Sequence, residues 1–83
     1  MTEGLGTGAT IAEAARATIQ AHPAAVERWL ADQPGAWGHL AGQAVLGARR
    51  SLGRSLTDAE RRAMWTVLWD MLTDMRLEGP TDR

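Results

Sequence analysis

Apolar residues in this chain recur at steps of three and four, the spacing that gathers side chains on one face of an α-helix. The longest instance is Met64, Trp65, Leu68, Met71, Leu72 and Met75. A second runs through Trp37, Leu40, Ala41, Ala44, Val45 and Ala48, and a third through Ile11, Ala14, Ala15, Thr18 and Ile19. Between them Val26, Trp29 and Leu30 fall on one side of a shorter segment. The fold class read from this pattern is all-α, a small bundle of about four helices with short loops.

Breaks in the pattern place the joints. His22 precedes Pro23, and the residue before a proline is pushed out of the α region while proline suits a first helical turn. One helix therefore ends near Ala21, and another begins at once with His22 as its cap. Gln33, Pro34 and Gly35 close the second helix. A third spans about Ala36 to Arg50, followed by a loop over 51–56. Thr10 with Glu13, and Thr57 with Glu60, each form the Thr-x-x-Glu signature of a helix start, predicting the first and last helices to open there. Gly79 and Pro80 end the last one. The domain layout is a flexible tail over 1–9, one helical domain over 10–78 and a short tail over 79–83. Gly38 and Gly42 cost helix propensity, each up to about 1 kcal/mol against alanine, and so predict close backbone approach.

At 83 residues there is room for one core, and a thin one. With no cysteine, disulfides and thiolate metal sites are excluded. The residues Met1, Thr2 and Glu3 do not start a signal peptide, which predicts a cytoplasmic protein. The longest apolar region, Met64 to Leu72, is broken by Thr66 and Asp70, so no membrane span is expected.

Few residues here offer catalytic chemistry. His22 and His39, the two histidines, match no zinc spacing. Asp70 and Asp74 share a helix face near Arg76 and read as solvated surface charge. Gly4, Gly6 and Gly8 follow no strand, and a chain without lysine cannot supply a P-loop. The expectation is a binding module that is not an enzyme, with no catalytic residue, no metal and no cofactor.

Two surfaces compete for the binding role. Every basic residue apart from histidine is an arginine, and the net charge is −1. Residues 49–62 carry five arginines (Arg49, Arg50, Arg54, Arg61, Arg62) against Asp58 and Glu60, a local charge of +3 that leaves −4 for the rest. Guanidinium groups bind phosphate oxygens bidentately, so this junction is a candidate RNA-binding site. The last helix offers the other. Val67 and Trp69 widen its apolar arc to about 200°, more than a small bundle needs. Either the other helices wrap around it, or Val67, Trp69 and Met71 form an interface for a protein partner or a homodimer.

The run His22-Pro23-Ala24-Ala25-Val26-Glu27-Arg28-Trp29, followed by Gly38-His39-Leu40-Ala41-Gly42-Gln43, resembles the tail domain of the GatB/YqeY family over roughly residues 10 to 50. That family shows Asn-Pro, two residues, Val and an aromatic, then Gly-Phe-Leu-Val-Gly-Gln entering a helix. Here His22 stands for the asparagine, Gln33 and Gly35 stand where lysines are common, and Leu46 stands near another. The resemblance implies a helical appendage of tRNA-dependent amidotransferase subunits that helps bind tRNA while catalysis resides elsewhere. It also implies a basic loop after the Gly-Gln helix, where Arg49, Arg50 and Arg54 fall.

Overall fold

A computed structural model describes residues 6–78, which form four helices and, among these residues, no strand. They are α1 (Gly6–Ala21), α2 (Pro23–Leu30), α3 (Ala36–Leu52) and α4 (Asp58–Glu78). The expected tail over 1–5, the tail over 79–83 and the Gly79-Pro80 stop lie outside the described residues. No described helix is long and apolar enough to cross a membrane.

The first helix opens earlier than its Thr-x-x-Glu signature suggests. It begins at Gly6, so residues 6–9, expected in the tail, are helical. Thr10 and Glu13 then sit inside the helix, where the amides that a capping box would satisfy already have helical partners. Glu13 turns outward instead and accepts from Arg16 Nη1 at 2.8 Å. The second signature performs as expected. The Thr57 N–H donates to Glu60 Oε1 at 2.9 Å, and the Glu60 N–H donates to Thr57 Oγ1 at 3.1 Å.

At the α1–α2 corner His22 occupies the cap position, but its side chain makes no capping bond. The ring instead packs edge-on against that of His39, 5.2 Å between centroids. Helix α2 ends in a Schellman turn. The Gln33 N–H donates to Arg28 O and the Asp32 N–H to Trp29 O, both at 2.9 Å, with Asp32 left-handed at φ 61°. Two glycines meet conformations that side chains resist, Gly35 at φ 90° before α3 and Gly53 at φ 74° after it. Gly53 turns the chain back so that Leu56 is buried under the bundle and α4 returns along α3.

The core is built on α4. Met64, Leu68 and Leu72 are fully buried, as is Leu40 of α3. Ala15 of α1 and Ala44 and Ala48 of α3 are also sealed, so small side chains let these two helices lie close. Of the described glycines only Gly47 faces a neighbouring helix closely, and a Cβ there would meet the Ala14 Cβ at 3.7 Å, an ordinary contact, so no glycine is required for close backbone approach. Gly38 and Gly42, expected to serve that purpose, are exposed, and a Cβ on either would meet nothing within 4 Å. They lie on the side of α3 that α1 does not cover. The buried Thr18 hydroxyl donates to Ala14 O at 2.8 Å, satisfying its hydrogen bond within the helix.

Candidate interaction surfaces

The α3–α4 junction places the five arginines around one turn but divides them by partner. Arg54 forms a two-pronged pair with Glu60, Nη1 to Oε1 and Nη2 to Oε2, both 2.8 Å, and also reaches Ser55 O at 3.0 Å. The Arg54 hydrogen bonds, the Thr57 amide and the Arg54 charge hold the Glu60 carboxyl at about 2, well below its ordinary 4.5. The same pairing raises the Arg54 pKa. Arg61 pairs with Asp58 at 2.7 Å, one turn apart on α4. Arg49, Arg50 and Arg62 make no ion pair among the described residues. Arg49, Arg50 and Arg54 line one opening with Leu46, Gly53 and Ser55, while Arg61 and Arg62 line another with Asp58 and Trp65. The positive field expected of the junction is thus partly offset inside the molecule, and its arginines do not line one common opening.

The second surface is aromatic. Trp29 is buried, and Trp69 stands edge-on to both Trp29 and Trp37 with ring centroids 5.3 Å away in each case. Such edge-to-face pairs contribute about 0.5–1.5 kcal/mol each beyond the area they bury. Trp69 nevertheless remains 49% exposed, and Trp65, one turn earlier, 41%. Trp65, expected in the core stripe, lies instead at its edge, because the α4 arc is wider than the other three helices cover. Between α3 and α4 runs a groove of about 410 Å³ floored by Gly38, Ala41, Gly42 and Val45 and flanked by Trp37, Trp65 and Arg61. The two glycines keep it open. A shallower depression continues from it over Trp37, Trp65, Thr66, Trp69 and Asp70.

Val67, Trp69 and Met71 do not form one surface. Helical residues two apart in sequence lie about 200° apart at roughly 100° per residue, so Trp69 points away from Val67 and Met71. Val67 and Met71 are half-buried against the core, and the exposed neighbours of Trp69 are Trp65 and Thr66. Trp65 and Trp69 stand four residues apart, so the sequence did contain a signal for this patch.

Arg76 has a structural role that no local pattern announces. Its Nη2 donates to Trp29 O at 3.0 Å, to Leu30 O at 3.5 Å and to Asp32 Oδ1 at 3.0 Å, and the guanidinium lies 4.3 Å over the Trp29 ring. It ties the end of α4 to the end of α2. Asp70 and Asp74 are exposed, and among the described residues no three histidine or acidic side chains gather as a metal site would require.

No family model, no curated protein and no solved structure matches this chain.

Proposed function

We propose that this chain is a non-catalytic accessory module that works by protein–protein contact, through the flank of α4 that carries Trp65 and Trp69. The observation that carries the reading is the pair of half-exposed tryptophans bordering an open groove with a glycine floor. Tryptophan is costly to leave in water, is enriched among the residues that dominate interface energetics, and binds best beside a pocket that excludes solvent. The matching occupant presents an apolar side chain to the groove and a carboxylate to Arg62, whose charge has no partner among the described residues.

The test is a photo-reactive residue at position 66, which lines the same depression as both tryptophans, with one at the exposed Glu27 of α2 as control. In the cells from which the chain comes, the position-66 variant is expected to cross-link to one identifiable protein and the Glu27 variant is not. Equal labelling from both positions, or none from position 66, contradicts the reading.

A second reading is favoured by the shared opening of Arg49, Arg50 and Arg54, and by what the GatB/YqeY resemblance implies: binding of tRNA or a related structured RNA. Phosphate contacts weaken steeply with salt, whereas apolar contacts tolerate it. An electrophoretic shift with total tRNA at low and moderate salt separates the two, and no binding at low salt removes the RNA reading.

A further inference from the structure

Resting on the protein-contact reading, we infer that the occupant of the tryptophan flank is a second copy of this chain, docked with its α4 antiparallel to the first. The outward arc of α4 holds Arg62, Trp65, Thr66, Trp69 and Asp70, all exposed, within about 140° at roughly 100° per residue. Arg62 and Asp70 stand four residues before and after Thr66. At about 1.5 Å per residue, each is about 6 Å from it along the axis.

A two-fold axis beside Thr66 therefore brings each Arg62 level with the Asp70 of the other copy, and does so twice. It also brings Trp65 and Trp69 of each copy to the same side of the joint, beside the groove. A parallel arrangement would set Arg62 against Arg62 and Asp70 against Asp70, and like charges in register are repulsive. Opposed helix dipoles favour the antiparallel choice as well. Neither Arg62 nor Asp70 has an ionic partner among the described residues, so both are available for this pairing. Asp58 and Asp74 also become level, but Asp74 sits about 160° around the helix from Asp58 and does not face it. A patch that is its own complement in charge and apolar content is what a two-fold interface requires.

The absence of cysteine makes the arrangement directly testable. In Thr66→Cys the only disulfide the chain can form joins two copies. Helix axes about 8–10 Å apart bring the two position-66 Cα atoms within the roughly 7 Å that a disulfide spans. Mild oxidation is expected to convert Thr66→Cys to a covalent dimer, while Ala17→Cys on the exposed side of α1 stays monomeric. Adding Arg62→Asp is expected to lower the dimer yield about tenfold through like-charge contact, and adding Asp70→Arg to it restores the yield. If oxidised Thr66→Cys remains monomeric while the photo-reactive residue at position 66 captures a different protein, the second-copy inference fails and the protein-contact reading stands. If neither dimer nor adduct forms, both fail. Dimerisation without rescue by the reversed charge pair overturns the antiparallel register.

Discussion

Replacing Arg76 by alanine tests the account of how the bundle is closed, because one side chain joins two helix ends far apart in sequence. Three contributions are lost. The hydrogen bond to Trp29 O, half-buried at 3.0 Å, is charge-assisted and falls in a class that contributes about 1.5–3 kcal/mol. The guanidinium over Trp29 at 4.3 Å adds about 0.5–1 kcal/mol at an exposed site. The ion pair with Asp32 adds little, since the Asp32 side chain is 81% exposed and pairs of that kind are worth about 0–1 kcal/mol. With Arg76 itself 41% exposed, the lower parts of these ranges apply, and Arg76→Ala is expected to cost about 2 kcal/mol. For a domain of this size that lowers the melting temperature by about 8–16 °C. Asp32→Asn, which removes the charge and keeps a side chain suited to the left-handed turn, is expected to cost about 0.5 kcal/mol and Arg76→Lys to fall between, because an ammonium loses the planar stacking on the indole. Urea and thermal unfolding followed by far-UV circular dichroism measure all three. If Arg76→Ala stays within about 0.5 kcal/mol of the native chain, or Asp32→Asn costs as much as Arg76→Ala, the carbonyl and indole contacts are not what closes the bundle.

Glycine substitutions separate backbone strain from helix propensity. Gly42→Ala, with open space at its Cβ position, is expected to raise stability by up to about 1 kcal/mol. Gly53→Ala, at φ 74°, is expected to lower it by about 1 kcal/mol or more, as read from urea midpoints. The Glu60 carboxyl, held at about 2 instead of 4.5, stabilises the fold above the upper value and loses that contribution as pH falls from about 4.5 toward 2. Glu60→Gln should therefore flatten the fall in urea midpoint over that interval, and identical slopes would detach Glu60 from acid unfolding.

What was legible in the sequence was what local chemistry decides. The steps of three and four gave all four helices, Pro23 gave the α1–α2 corner, and Thr57 with Glu60 gave the start of α4, since a capping box is satisfied within four residues. The identical signature at Thr10 and Glu13 misled because pattern alone does not reveal whether upstream residues continue the helix. Gly38, Gly42 and Gly47 look alike in sequence, and only the way α1 docks on α3 puts Gly47 beside Ala14 while leaving the other two open. The width of the α4 apolar arc signalled a surplus. Which of its residues remained exposed depended on where three other helices stopped, and that set the flank at Trp65 and Trp69, with Val67 and Met71 turned toward the core. Arg76 was illegible for a related reason, as its partners lie 44 to 47 residues away.

The central claim, assembly through the outer flank of α4, is tested most directly by sedimentation equilibrium of the unmodified chain over a wide concentration range. The account predicts a mass that rises with concentration from 9.0 kDa toward twice that value, while Trp69→Ser stays at the monomer mass. A native chain that holds at 9.0 kDa throughout, or a Trp69→Ser variant that self-associates as well as the native chain, contradicts it.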